Sequence, residues 1–199
     1  MHVRAPALLV AARQHGETAV VARFLTADYG LVAGYVAGGR GRNLRPVVIP
    51  GNAVDLQLSA RSDSQLPFAK VELVQSRGPW LGEPLAAAAI GWATALTASA
   101  LPERQPYPRL YQALAATLDA ICHAPSARGW AQALVGYEIL LLRDLGYGGA
   151  DERPQGIMEQ VLDMMDALAP SLDHYLLAGS RGDVMAARQR LRELLGRIA

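Results

Sequence analysis

Cysteine is almost absent from this chain of 199 residues, in which Cys122 stands alone. A single cysteine excludes an intramolecular disulfide framework and any zinc site built from four cysteines. The four histidines are far apart and lack the paired spacing of a metal-binding helix; they are His2, His15, His123 and His174. We therefore expect neither a metal nor another cofactor.

Long apolar segments are also lacking. Residues 85–101 come nearest to a membrane span, but they are rich in alanine and fall short of the roughly 20 residues that a span needs. This pattern predicts a buried core helix. The first 14 residues do not have the pattern of a signal peptide. We therefore expect a cytoplasmic protein that does not associate with membranes.

Lysine is nearly absent as well: Lys70 is the single lysine, whereas the chain has 18 arginines. The composition, 51% hydrophobic and 19% charged, is typical of a globular protein. Residues 1–78 carry nine basic and five acidic residues, whereas residues 79–199 carry ten basic and thirteen acidic ones. The first part therefore has an excess of four positive charges, which favours a polyanionic partner for it.

Short apolar or alternating segments in the first 77 residues are typical of β-strands. These segments are residues 7–13, 19–25, 31–36, 53–58 and 69–74. In the fourth, Val54, Leu56 and Leu58 alternate with polar residues, as in a half-buried strand. Five strands in fewer than eighty residues predict a small closed barrel, of either the oligonucleotide-binding (OB) type or the SH3 type.

From Pro79 onward the pattern changes to helical periodicity. The predicted helices are residues 84–100, 107–122, 126–146, 154–168, 171–178 and 183–197. We expect an α+β protein in which residues 1–78 form a barrel domain and residues 79–199 form an all-helical domain. Ser126 is predicted to cap the third helix. Arg188 is predicted to lie off the apolar stripe of the last helix, which consists of Val184, Ala187, Leu191 and Leu194.

The stretch AGGRGRNLRP, residues 37–46, contains three glycines and three arginines. Glycines allow a backbone to approach phosphates closely, and Arg40, Arg42 and Arg45 offer bidentate contacts to them. The stretch lacks the Gly-Lys-Ser/Thr ending of a nucleotide-binding P-loop. It indicates either a loop that binds nucleic acid or a solvated surface turn.

If this stretch binds nucleic acid, other residues of the first part extend its surface. They lie on or beside the predicted strands and are Arg13, Arg23, Lys70 and Arg77. Base stacking needs aromatic side chains. The candidates are Phe24, Tyr29, Tyr35 and Phe68, some of which the barrel core requires.

Two blocks of this sequence resemble those of a known family. Gly16-Glu17-Thr18, then FLTADYG at residues 24–30 and VAGGR at residues 36–40, resemble the N-terminal signature of the RecO family of bacterial recombination mediators. YEILLLRDLGYG at residues 137–148 resembles a second block of that family. The resemblance covers nearly the whole chain, in order.

The resemblance implies an OB-fold followed by a helical domain, without enzymatic activity. RecO-like proteins act in DNA repair and homologous recombination, in the cytoplasm at the nucleoid. They bind single- and double-stranded DNA, anneal complementary strands, and act with RecR to load RecA. They also bind the acidic C-terminal tail of the single-stranded-DNA-binding protein. Residues 40–45 are then expected to belong to the DNA-binding surface.

The chain also departs from the family pattern. Many RecO-like proteins carry a four-cysteine zinc site after the second block, whereas residues 148–154 read GGADERP here. The resemblance therefore implies no zinc, and we expect a shortened polar link instead. The acidic tail would need an apolar groove with a basic rim in the helical domain. The candidate rim residues are Arg104, Arg109, Arg128 and Arg143.

Two alternatives stay open on the sequence. The first is a protein-interaction adaptor whose barrel binds a partner protein and no DNA. The second is an enzyme built around Glu17, Glu138 or Asp144, the acids inside the resembling blocks. We expect Glu138 to face solvent or pair with a helix cap and Glu17 to lie in a turn, which favours a binding function.

Overall fold

The computed structural model describes residues 2–60, 62, 65–148, 157–179 and 184–199. The chain forms two compact units. The barrel unit comprises Met1–Gly82 and Leu101–Tyr111, and the helical unit comprises Glu83–Ala100 and Gln112–Ala199.

Five strands form the barrel unit, as the alternating segments predict. They are β1 (His2–His15), β2 (Ala19–Thr26), β3 (Gly30–Val36), β4 (Ala53–Ser59) and β5 (Phe68–Gln75). β1 begins five residues before the predicted segment because residues 2–8 pair with β4. That pairing joins distant parts of the chain, so the local pattern does not contain it.

The strands close into a barrel in the order β1-β2-β3-β5-β4. β3 and β5 pair in parallel, and the other neighbouring strands pair antiparallel. β1 serves two neighbours, with residues 2–8 on β4 and residues 7–15 on β2. A register shift between Leu9 and Ala11 bends β1 where it changes partner. This is the OB-fold, and with the helices that follow it confirms the α+β class.

Alternate residues of the strands fill the barrel core. The residues of β4 that are spaced by two are buried, as predicted: Val54, Leu56 and Leu58. Gly34 in β3 faces the same core. A Cβ at Gly34 would lie 2.7 Å from Ala69 Cβ and 2.8 Å from Leu58 Cδ2. Glycine at this position therefore lets β3 approach β5 closely enough for the barrel to close.

A segment that the sequence places between two helices runs beside the start of β3. Leu31 forms a parallel bridge with Glu103, and the Arg104 amide donates a hydrogen bond to the Leu31 carbonyl at 2.8 Å. Gly30 has a φ of 67°, and a Cβ there would lie 2.1 Å from the Gln105 carbonyl oxygen. Gly30 thus supplies both the left-handed backbone and the space that this segment needs. The contact explains why residues 101–111 belong to the barrel unit.

In the described residues, five α-helices follow the barrel strands. They are α1 (Pro84–Ala100), α2 (Pro108–His123), α3 (Ala127–Asp144), α4 (Met158–Ser171) and α5 (Val184–Gly196). A 3₁₀ turn precedes α1 at Gly78–Gly82, and a π-helical segment continues α4 at Leu172–Leu177. Residues 154–156 and 183, which the predicted helices included, lie outside the described residues. None of the helices in the described part of the chain is both long and apolar enough to cross a membrane.

The prediction that Ser126 is the N-cap residue of α3 is confirmed. Ser126 occupies the N-cap position of α3 with an extended backbone, but its side chain makes no capping hydrogen bond. The Gly129 amide instead donates to the Ser126 carbonyl at 3.2 Å. Main-chain bonding therefore serves the first turn of α3.

A charged pair lies inside the helical unit. Glu138 of α3 is 0% exposed and Arg188 of α5 is 3% exposed. The Arg188 guanidinium donates from Nε to Glu138 Oε1 at 2.9 Å and from NH2 to Oε2 at 2.7 Å. Trp92 Nε1 of α1 donates to the same Oε1 at 2.7 Å. One carboxylate thus joins three helices.

This pair corrects two predictions. Glu138 is neither solvent-facing nor a cap partner, and Arg188 lies in the buried face of α5 together with Leu191 and Leu195. Periodicity failed here because α3 is buried on most of its circumference, so its polar residue has no exposed face to occupy. Only the three-dimensional pairing of the two charges makes their burial possible.

A second polar contact accompanies the pair. Thr97 Oγ1 and Tyr137 Oη lie 2.6 Å apart in the buried interior. Burial raises the pKa of the Tyr137 phenol, and the hydrogen bond to Thr97 lowers it by less. The phenol therefore stays protonated across the physiological range of pH.

We expect Arg188→Met to lower the free energy of unfolding by about 3–5 kcal/mol, because it leaves the Glu138 carboxylate buried without its counter-charge. The double variant Glu138→Gln/Arg188→Met should recover much of this loss, since Gln still offers an oxygen to Trp92 Nε1. Urea unfolding followed by tryptophan fluorescence measures both.

Arg192→Met is the matched control. Arg192 also binds a carboxylate through two hydrogen bonds, of 2.9 and 2.6 Å to Asp166, but that pair is exposed. Solvent screening limits such a pair to about 1 kcal/mol. Equal losses for Arg188→Met and Arg192→Met would contradict a structural role for the buried pair.

Candidate nucleic-acid interface

Residues 37–50, termed the basic loop, form most of the connection from β3 to β4. The Arg45 amide donates to the Gly41 carbonyl and the Val48 amide to the Leu44 carbonyl, each at 2.9 Å. This i to i−4 pattern is that of a short helical turn. Val48 is buried in the barrel core, and Leu44 and Val47 pack against it. The basic loop is therefore an ordered element with an apolar side and a charged side.

The beginning of the basic loop is attached to the turn between β1 and β2. The Arg40 amide donates to the Thr18 carbonyl at 2.9 Å, and its guanidinium donates from NH1 to the Glu17 carbonyl at 2.8 Å. Glu17 thus lies in a turn, as expected. The second bond uses one donor of Arg40 and leaves its other donors for a ligand.

Asn52 holds the end of the basic loop. Its side-chain amide is buried and donates to the Pro46 carbonyl at 3.0 Å and the Val47 carbonyl at 2.9 Å. Asn52 Oδ1 accepts a hydrogen bond from the Arg77 amide at 2.7 Å. One side chain therefore joins the loop to the chain segment that follows β5.

The three loop arginines are exposed and border the same groove. Arg40, Arg42 and Arg45 line it together with Pro46 and Ile49, and its volume is about 750 Å³. Within the described residues, Arg42 and Arg45 form no ion pair with a carboxylate. Three guanidinium groups on one groove can bind an anionic chain through bidentate hydrogen bonds to phosphate.

The other predicted DNA-binding residues differ in their surroundings. Arg13 on β1 is exposed. Arg23 is partly exposed and forms an ion pair of 3.1 Å with Glu103. Lys70 is exposed and lies 3.1 Å from the Glu72 carboxylate. Both pairs are near solvent, so their charges are screened.

Arg77 does not belong to the exposed surface. Its exposed fraction is 1%, and its amide is bound by Asn52. The sequence suggested a surface position because Arg77 follows β5 and arginine is rarely buried. The burial of Arg77 depends on the fold around the end of β5, which no local pattern displays.

The structure does not gather the predicted rim residues into one place within the helical unit. Arg128 and Arg143 are exposed near opposite ends of α3, about 22 Å apart along a helix that rises about 1.5 Å per residue. Arg104 and Arg109 are exposed but belong to the barrel unit. Arg104 has a φ of 59°, which the contact of its amide with Leu31 maintains.

The candidate stacking residues separate into buried and exposed members. Phe24 is fully buried in the barrel core, and Tyr29 is exposed in the turn between β2 and β3. Tyr35 contacts Phe68, which is exposed.

Sequence reasoning overlooked Asn52, because a single asparagine after Pro-Gly looks like an ordinary turn residue.

The possible metal ligands do not cluster in the described residues, where no group of three or more His, Cys, Asp or Glu side chains is placed to hold an ion. Residues 149–154 of the predicted shortened link lie outside the described residues.

The geometry defines the class of protein: one with an OB-fold barrel that carries an arginine-lined groove and is followed by a helical unit. The family model described as "Recombination protein O N terminal" matches residues 1–77, and the model described as "Recombination protein O C terminal" matches residues 81–149. These two matches cover most of the chain, and the chain therefore belongs to the RecO family.

Individual relatives agree with this assignment. A protein of Rhodospirillum centenum named "DNA repair protein RecO" is 42% identical over 143 residues, 71% of this chain and 56% of that protein. The protein of the same name from a Ruegeria species is 41% identical over 149 residues, 74% of this chain and 61% of that protein. The chain thus matches a little over half the length of these relatives.

Asn52→Ala should loosen the basic loop and lower the free energy of unfolding by about 1–3 kcal/mol, because the Pro46 and Val47 carbonyls and the Arg77 amide lose their partner. Hydrogen exchange of the amides of residues 44–48 and urea unfolding measure the two effects. Asn43→Ala, at an exposed position of the same loop, is the control and should change neither. Unchanged exchange in Asn52→Ala would show that the apolar side of the loop orders it alone.

Proposed function

We propose that this protein binds single- and double-stranded DNA through the basic loop and acts in DNA repair and recombination by binding, without making or breaking a covalent bond. The observation that carries the proposal is the groove lined by Arg40, Arg42 and Arg45 on an ordered loop of an OB-fold barrel. Membership of the RecO family supports the same function.

The chemistry of the groove suits phosphate backbones of either form of DNA. Each guanidinium that contacts a phosphate releases a condensed counterion, so affinity depends on salt and not on base sequence. The excess of four positive charges in residues 1–78 supports this partner. Arg13 and Lys70 are exposed and would extend the cationic surface, and Arg23 is partly exposed.

Annealing follows from the same charges. Two complementary strands repel each other through their phosphates, and a cationic surface that contacts both lowers this repulsion. Bases of the two strands can then meet and pair. We propose that the protein promotes annealing in this way.

Partner proteins complete the proposed function. By family membership, we propose that the protein acts with RecR to load RecA at the nucleoid, on DNA coated by the single-stranded-DNA-binding protein. The acidic tail of that protein would contact arginines among Arg104, Arg109, Arg128 and Arg143. All four side chains are exposed, as contact with a peptide in solution requires.

Removing the charges of the basic loop should weaken DNA binding and reduce its salt dependence. For Arg42→Ala/Arg45→Ala, the slope of log affinity against log salt should fall by about 1.4 for single strands and about 1.8 for duplex, the release from two phosphate contacts. The triple variant with Arg40→Ala should lose more. Fluorescence anisotropy with labelled oligonucleotides across a salt series measures the slopes.

Arg190→Ala/Arg197→Ala is the matched control, because it removes two exposed arginines from α5 and the residues after it. It changes the net charge by the same amount and should leave the slopes unchanged. A folded triple loop variant that binds and anneals like the original protein would exclude the basic loop as the DNA site. No binding by the original protein even at low salt would favour the adaptor alternative.

The partner contact can be tested separately. A labelled peptide with the acidic C-terminal tail of a single-stranded-DNA-binding protein should bind about tenfold more weakly when a contacting arginine is changed to glutamate. Arg104→Glu, Arg109→Glu, Arg128→Glu and Arg143→Glu are compared with Arg197→Glu. Equal peptide affinity in all five variants would exclude these arginines as the tail site.

A further inference from the structure

A row of outward-facing side chains crosses four strands of the barrel. Arg13 of β1 is in register with Val21 of β2, Val21 with Tyr35 of β3, and Tyr35 with Phe68 of β5. Residues in register on neighbouring strands project from the same face of the sheet. In β2, β3 and β5 the adjacent residues along the strand face the buried core. The row therefore lies on the outside of the barrel.

The two rings of this row meet a third, that of His15, which lies two residues from Arg13 along β1 and therefore on the same face. The His15 and Tyr35 ring centroids are 5.8 Å apart, and those of Tyr35 and Phe68 are 5.4 Å apart. The ring planes are nearly perpendicular, at 85° and 80°, so these rings are not stacked on one another. Phe68 is 62% exposed. An exposed phenylalanine in contact with further rings indicates a binding surface.

Cations lie at both ends of the row. Arg13 lies at one end, and a groove of about 490 Å³ beside Phe68 is bordered by Arg4 and Lys70 at the other. Arg4 and Lys70 are both in register with Gln57, so they project from the same outer face. Glu72 is the acid nearest in sequence to Lys70 and pairs with it at 3.1 Å. Asp55 of β4 is exposed and in register with Glu72, so three cations share the face with two carboxylates. The face thus combines exposed rings with a small excess of positive charge, which suits a chain of phosphates and bases.

We infer that this face is a base-stacking platform for single-stranded nucleic acid. Phe68 and Tyr35 stack with unpaired bases, and Arg4, Arg13 and Lys70 contact the phosphates on either side. Stacking on aromatic rings is tolerant of base identity because every base has a π-face. Duplex DNA does not use the platform, since its bases are already paired and stacked.

The platform adjoins the basic loop, and this inference rests on the proposed function. Tyr35 lies two residues before the loop begins, and the guanidinium of Arg40 is bonded to the Glu17 carbonyl in the turn that follows His15. A strand held by the loop arginines thus reaches the rings over a short distance. The loop binds the backbone of either form of DNA, and the platform adds affinity for unpaired bases.

The test compares three labelled probes by fluorescence anisotropy: a thymine oligonucleotide, an abasic oligonucleotide of equal length, and a duplex. Phe68→Ala should weaken binding of the thymine probe about 5- to 150-fold, the factor that corresponds to about 1–3 kcal/mol per stacked base. Its affinity for the abasic and duplex probes, and the salt slope, should not change. Phe68→Trp should keep the original affinity because it keeps a ring.

Val74→Ala is the matched control, since Val74 is 63% exposed on the same strand. It should bind all three probes like the original protein. Unchanged thymine binding in Phe68→Ala, or an equal loss for the thymine and abasic probes, would overturn the platform. Arg42→Ala/Arg45→Ala tests the proposed function independently, because it should weaken all three probes. If the original protein binds none of them, the proposed function and the platform both fail.

Discussion

The contact between β3 and β5 closes the barrel, and both proposed binding surfaces depend on that closure. It is a short parallel pairing at Tyr35 and Phe68, supported by a hydrogen bond of 2.7 Å from the Tyr35 amide to the Pro67 carbonyl. Gly34 makes the approach possible because a side chain there would collide with the core. The outward-facing row that contains Tyr35 and Phe68 crosses the barrel at this closure, and the basic loop starts directly after β3. A shift of this pairing would separate Phe68 from Tyr35 and from the loop.

Order in the basic loop is as important as its charge. A glycine- and arginine-rich segment that was free in solution would lose much conformational entropy on binding. Here Val48 enters the barrel core, Asn52 holds the carbonyls of the loop, and Arg40 is bonded to the neighbouring turn. Much of this ordering is therefore already present in the protein alone. The two interpretations of this stretch, surface turn and phosphate site, are compatible, because the exposed side of an anchored turn carries the arginines.

The helical unit buries a pair of opposite charges, Glu138 and Arg188. Removing Glu138 and Arg188 from water is costly, and their bidentate contact together with the Trp92 hydrogen bond offsets that cost. Because the carboxylate joins α1, α3 and α5, the arrangement selects one packing of these helices. The same bonds account for Glu138, one of the three acids considered for an enzymatic alternative, as a structural residue.

The sequence by itself determined the strands, most helix limits and the basic loop, because alternation, helical periodicity and turn residues are local properties of a chain. The blocks that resemble the RecO family could be recognised from the sequence for the same reason, since they are continuous stretches of the chain. Only the tertiary structure decided the burial of Arg77 and Glu138, the role of Asn52, and the inclusion of residues 101–111 in the barrel unit. It also decided that Tyr35 and Phe68, 33 positions apart, form one surface. These features arise from contacts between segments that are distant in sequence, and the free energy of such contacts depends on the closed barrel and the packed helices rather than on neighbouring residues.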